Sequence, residues 1–249
     1  MRHKRRVIRH QQGGFSLVEH IWLWPLLVML TLGTVQLSLL FKTRATVNNA
    51  TFLAAREGSI NHADKSLMLQ KFAFAMAPLY VKASPNPLKL KKQQRVQVIK
   101  ANAGYGAIQV ISPSPAIFRA FAVKQYSLEG QPGKLREREF LQVPNDNLIL
   151  RSDTPKTVKV GRKQVAINLQ DANLLKIRGH WCYELQVPVV NVLIRRTMHT
   201  LGASSHPHWA NCEVVSFATG KHFIPVSGHS VVRMQSPIRC VDAACNNLK

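Results

Sequence analysis

The longest stretch of this chain without a charged residue runs from Ile21 to Phe41. Twenty-one helical residues at about 1.5 Å each reach about 32 Å, enough to cross a hydrocarbon core of about 30 Å. The run is too long for the apolar region of a removable secretory signal, and no small-x-small cleavage site directly follows it. The helix is expected to continue beyond it. Ala45, Ala50, Ala54 and Ala55 are small helix-favouring residues, and Gly58 is a natural stop. A helix from about Leu17 to Glu57 would be about 60 Å long, half of it outside the bilayer as a stem. A second helix is expected from Ala63 to Ala77, because Met68, Phe72, Ala75 and Met76 fall at helical spacing and would face a core. Asn61 is positioned to cap it and Pro78 to end it. The stretch Ala83-Ser84-Pro85-Asn86-Pro87 reads as a linker.

Strand signals dominate afterwards. Arg95 to Lys100 and Ala107 to Ser112 flank Gly104-Tyr105-Gly106 as a hairpin, and Thr157 to Val160 and Gln164 to Leu169 flank Gly161-Arg162-Lys163 as another. From Trp181 to Val187, residues Trp181, Tyr183, Leu185 and Val187 share one face, and Cys182, Glu184 and Gln186 the other. Ser230 to Met234 is expected as the last strand, and Pro115 can open a short helix to about Lys124. Helices first and strands later imply an α+β protein. A long N-terminal transmembrane helix continues as a stem, followed by a helix and a mainly antiparallel-sheet extracytoplasmic domain. No internal repeat or low-complexity tract is visible.

The flanks of the apolar run set its orientation. Arg2, Lys4, Arg5, Arg6 and Arg9 precede it with no acid among residues 1–10, while Lys42, Arg44 and Arg56 lie beyond it. The bias favours a cytoplasmic amino end and places residues 42–249 outside. Glu19 stands at the mouth of the helix. A carboxylate deep in the bilayer costs about 2.5–3.5 kcal/mol on insertion scales. As a first-turn acid it suits the positive end of the helix dipole, worth about 0.3–1 kcal/mol. If the chain is cut after Gly14, Phe15 gains a free amine and Glu19 becomes the fifth mature residue. The two then share a helix face at i and i+4, and Glu19 can pair with its own amine or a neighbour's. The residues alone leave an uncleaved signal anchor and a prepilin-type signal both open.

The segment Gly14-Phe15-Ser16-Leu17-Val18-Glu19 resembles the processing site of type IV pilins. The residues beyond it resemble the TadE-like proteins of tight-adherence (Flp) pilus systems, in which an acid at the fifth mature position is succeeded by Pro and then Gly. Here these are Glu19, Pro25 and Gly33. Thr46-Val47-Asn48-Asn49-Ala50 and Ala54-Ala55-Arg56-Glu57-Gly58 are similar to the family's Ala-rich helix. Leu169 to Ile177, Tyr183 to Pro188 and Val232 to Pro237 resemble segments of its longer members. Two positions depart from the pattern: His20 replaces the usual aromatic after the acid, and Gln36 stands where the family often has Glu. The resemblance implies a leader over 1–14, cut between Gly14 and Phe15 by a prepilin peptidase. It implies a transmembrane helix and stem over 15–58 and an extracytoplasmic α+β domain over 59–249. It also implies a single-pass bacterial inner-membrane protein with a periplasmic domain, assembling through its helix with other pilin-like subunits and pilus assembly machinery. Pro25 can kink such a helix, and Gly33 allows close backbone approach.

Composition narrows the chemistry. Lys and Arg number 34 against 12 Asp and Glu, a net charge of +22. Removing the five basic residues of the leader leaves about +17, a surface that attracts acidic partners such as lipopolysaccharide, anionic lipid, extracellular DNA or acidic pilus subunits. No stacking-aromatic motif or nucleic-acid fold signature is visible, so nucleic acid is not the expected partner. The four cysteines, Cys182, Cys212, Cys240 and Cys245, allow three pairings. The short Cys240–Cys245 loop favours that bridge, leaving Cys182 with Cys212, which a loop would carry to the polar face of the Trp181 strand. No CxxC spacing supports a zinc or redox site. His206, His208 and Cys212, with His199 nearby, could approach a metal, but Gly202 and Pro207 make the stretch loop-like and the bridge competes for Cys212. Ser204-Ser205-His206 lacks a partner acid and a nucleophile elbow, and acids are few and scattered. No cofactor, metal or enzymatic activity is expected.

Overall fold

The computed structural model describes residues 17–80, 87–129, 136–201, 208–240, 245 and 248, with backbone alone for 17–20. Its first element, α1 (Leu17–Ile60), is one helix of 44 residues with Pro25 inside it. The helix runs two residues past Gly58.

The second helix, α2 (Lys65–Met76), is capped by Asp64 rather than Asn61: the Asp64 carboxylate accepts from the amides of Ser66 at 2.7 Å and Leu67 at 3.3 Å. Asn61 instead bonds back to Glu57. Met68, Phe72, Ala73 and Met76 face the core, and Pro78 lies in a 3-10 turn, Ala77–Leu79, that closes the helix.

Arg95 to Lys100 is not a strand. It is the end of α3 (Pro87–Lys100), opened by Pro87. The Val-Gln-Val-Ile alternation there is local, and the preceding run of Leu, Lys and Gln favours a helix, which carries through. Gly104, at φ +92°, ends the helical path, and β1 (Gly106–Ser112) comes next. The hairpin expected around Gly104 therefore does not form; β1 pairs with a strand far along the chain.

Next come α4 (Pro115–Phe121), capped by Ser114, then β2 (Val123–Glu129) and β3 (Arg136–Val143). The expected 157–169 hairpin forms as β4 (Lys156–Val160) and β5 (Lys163–Ile167). A short α5 (Leu169–Ala172) leads into β6 (Leu174–Glu184). Two helices that the sequence pattern did not announce come after it, α6 (Val190–Thr200) and α7 (Trp209–Thr219). The chain closes with β7 (Phe223–Arg233), longer than the expected 230–234, and β8 (Ile238–Arg239).

The principal sheet is antiparallel in the order β1-β6-β7; a second has the order β2-β3-β8, and β4-β5 stands as a hairpin. The upper half of α1 lies across β6 and β7, with α2 beside it. Val47, Ala50, Ala54 and Ala55 are fully buried there, so the stem is also the central column of the domain. Two glycines make this close approach possible. Gly179 in β6 and Gly228 in β7 are register partners. A Cβ on Gly179 would sit 2.6 Å from the Thr51 Oγ1, and one on Gly228 2.7 Å from the Asn48 Oδ1. On the same face of β6, two residues past Gly179, the buried Trp181 indole donates to the Tyr80 hydroxyl at 2.6 Å, and burial pushes that phenol up to about 12.

Candidate assembly site

The lower half of α1 has the opposite character to the upper. Trp22, Trp24, Leu26, Leu30 and Val35 are all exposed. A buried core helix of a water-soluble domain would hide them. Among the described residues this is the one helix long and apolar enough to cross a membrane. Its hydroxyls are spent internally: Thr31 donates to the Val28 carbonyl at 2.9 Å, Thr34 to Thr31 at 2.7 Å and Ser38 to Thr34 at 2.9 Å. Each removes a polar hydrogen that lipid could not satisfy. Pro25 sits within this half, and at Gly33 a Cβ would meet nothing within 4 Å. Gly33 therefore makes no close contact within its own chain and leaves a shallow spot on the helix surface. Glu19 lies in the first turn of α1. Gly14, Phe15 and the leader lie outside the described residues.

The change from exposed to packed occurs at Gln36, which is fully buried. Its Oε1 accepts from the Val187 amide at 2.9 Å, just beyond β6. Burial raises the pKa of the neighbouring Tyr183 phenol, against the opposing hydrogen bonds of Thr43 and Gln36. Leu39 and Leu40 pack with Tyr183, Leu185, Trp209 and Ile224, and α6 adds Ile194 and Met198 to the same cluster. The sequence marked Gln36 only as a departure from a pattern; its signal was an amide in the middle of an apolar run.

Helices α6 and α7 are held to the sheet and to each other. Cys182 is bridged to Cys212 across a Cα–Cα distance of 5.4 Å, and Cys240 to Cys245 across 4.9 Å. Cys212 lies on α7, not in a loop, and Cys182 is buried beneath it. Between the helices, Glu213 accepts from His199 Nε2 at 2.8 Å and faces Arg195 at 3.5 Å. Burial would raise the Glu213 pKa, but Trp209, His199 and Arg195 outweigh it and hold the carboxyl below its ordinary 4.5. Among the described residues no group of three His, Cys, Asp or Glu could hold a metal. Cys212 is committed to its bridge, and His206 lies outside the described residues.

A cleft of about 490 Å³ opens between the α1–α2 turn and the second sheet, lined by His62, Asp64, Arg138, Phe140 and Arg239. The Arg239 guanidinium lies 4.0 Å over the Phe140 ring and donates to Ser127 at 2.7 Å and to Gln142 at 3.1 Å. That charge is engaged in fastening β8 to β2 and β3.

The fold and this helix define an α+β protein carrying one N-terminal helix suited to a single-pass membrane anchor. Residues 14–56 match the model of a family described as TadE-like protein. The N-terminal segment is thus TadE-like, which relates the chain to pilus assembly systems, and the match ends within the last turns of α1. No curated protein and no solved structure matches the chain.

Proposed function

We propose that this protein is a minor pilin or pilus assembly subunit of a tight-adherence or related type IV-like system, with a structural rather than catalytic role. The observation that carries the proposal is the coincidence of the TadE-like match with α1, whose lower half is apolar and exposed and whose upper half is built into the domain. In this role the leader remains cytoplasmic until a prepilin peptidase cuts between Gly14 and Phe15, and the domain faces the periplasm. The exposed half of α1 then packs with other pilin-like subunits in the inner membrane or in a pilus. Glu19 offsets the terminal amine of Phe15 or of a neighbour, and the open surface at Gly33 admits a second helix.

Sequencing the mature amino terminus tests the processing step. A chain beginning at Phe15 is expected, and an intact Met1 in cells that possess the peptidase would sink it. Glu19→Ala is expected to abolish or sharply reduce assembly while leaving membrane insertion intact, read by counting pili and by membrane fractionation. Normal pilus formation by that variant would remove the pairing role.

A second reading, an uncleaved membrane-tethered module that captures acidic envelope components, draws support from the net charge of +22. It requires anionic ligands to bind the detergent-solubilised protein with affinity that falls as salt rises.

A further inference from the structure

The α6 helix has two unlike faces. Val190, Ile194 and Met198, spaced by four, turn toward the domain, the last two packing against the same buried cluster as Leu39 and Leu40 of α1. Val192, Leu193 and Arg196, the last lying four and three residues beyond the other two, turn outward, and Val189, the N-cap residue just before the helix, is exposed beside them. Val189 is 62% exposed and Leu193 51%, and Leu201 just past the helix 82%. Three aliphatic side chains and one arginine on an outward stripe form an amphipathic face with no covering element among the described residues.

The position of α6 along α1 says what covers it. The domain first grips α1 at Gln36, through Val187, two residues before Val189. The uncharged run of α1 does not end until Phe41, and Lys42 is the first charge beyond it. From Gln36 to Lys42 is six residues, about 9 Å of helix. A span that uses the whole apolar run therefore sets this corner of the domain about 9 Å below the first charge, at the acyl boundary. Amphipathic helices bury about 5–10 Å at that boundary. Sliding the span toward the amino end, so that it stops at Gln36, still leaves α6 at the level of the headgroups. The cations are arranged to suit: Lys42 and Arg44 flank the end of the run and Arg196 stands on the stripe, all exposed.

We propose that α6 is an interfacial helix lying in the outer surface of the bilayer that α1 crosses, with Val189, Val192 and Leu193 at the acyl boundary and Arg196 among acidic phospholipid headgroups. This rests on the reading of α1 as a membrane span. The occupant of the stripe is the lipid surface itself, because the attachment of α6 to α1 holds it there whether or not other subunits are present.

All four cysteines are bridged, so a single introduced cysteine can carry a label. The full chain is reconstituted into vesicles containing acidic phospholipid and a lipid bearing a nitroxide at a shallow acyl position. A fluorophore is placed on Leu193→Cys, on Leu27→Cys within the span, or on Val231→Cys, an exposed position of β7. Leu193 and Leu27 are expected to be quenched, and Leu193 at least about threefold more than Val231, as interfacial burial requires. Quenching at Leu27 with none beyond the Val231 level at Leu193 would overturn the interfacial helix and leave the span standing; absence of quenching at Leu27 would sink the span itself. Protection of Leu193 that appears only when other pilus subunits are added would assign the stripe to a neighbouring subunit and overturn the proposal. Because these side chains are exposed, Val192→Cys serves as a second reporter if Leu193→Cys folds poorly. Replacing acidic by neutral lipid is expected to weaken quenching at Leu193 alone; an unchanged value would remove Arg196 and the acidic headgroups from the proposal.

Discussion

Gln36 is the only side-chain amide between Ile21 and Phe41, and it marks where α1 passes from exposed to packed. Its carbonyl oxygen is the acceptor for the Val187 amide in a place with no other exposure. Gln36→Ala leaves that N–H buried without an acceptor, which costs about 1–3 kcal/mol. Thermal unfolding of the detergent-solubilised chain is expected to shift down accordingly, and an unchanged midpoint would show that Val187 finds another partner. Residues of this kind are poorly legible in a sequence. A glutamine inside an apolar run stands out, but its partner is 151 positions away. The same holds for Gly179 and Gly228, whose lack of side chains matters because Asn48, Thr51 and Phe72 lie against them. The cysteines were more legible, since a short spacing restricts the pairing before any fold is known.

At the level of elements, long or strongly patterned segments were readable and context-dependent ones were not. The long helix, α2, α4 and the β4-β5 hairpin arise from composition, proline placement and turn residues. The stretch 95–100 misleads because its alternation is too short to outweigh the helix that enters it. Helices α6 and α7 escape a sequence reading although Val190, Ile194 and Met198 repeat every four residues; the histidines, Gly202 and Pro207 nearby point to a loop. These two helices meet through Glu213, His199 and Arg195, and that contact is sensitive to acid. The folded Glu213 pKa lies below the ordinary 4.5. The contribution is therefore fully present above 4.5 and is lost as pH falls through the depressed folded value. Because the pair is partly solvated, its worth is about 0.2–1 kcal/mol. Wild type is expected to exceed Glu213→Gln in melting temperature at neutral pH, with the difference shrinking as the medium is acidified below 4.5. A difference independent of pH would assign the effect to packing.

Over the whole molecule, packing ties the upper half of α1 to the elements that come after it. A cut after Gly58 separates stem from domain on paper, yet Val47, Ala50, Thr51, Ala54 and Ala55 belong to the core. A fragment of residues 36–249 is expected to fold, and one of residues 59–249 to lose its cooperative unfolding transition, as monitored by circular dichroism. Equal behaviour of the two would make the upper half of α1 dispensable. The outline of an α+β protein on a membrane helix was legible, because hydropathy and the order of elements carry it. The location of the seam was not, because small residues such as alanine are as consistent with a free helix as with one pressed against a sheet.

That seam has a mechanical meaning. A domain on a loose tether can tumble while its anchor stays still, but here one uninterrupted helix is clamped to the sheet from Gln36 upward. Turning the lower half of α1 by some angle turns the sheet by the same angle, apart from whatever give Pro25 supplies below the clamp. Any machine that grips or rotates the helix within the membrane thereby steers the domain beyond it directly, like a key turned by its shaft.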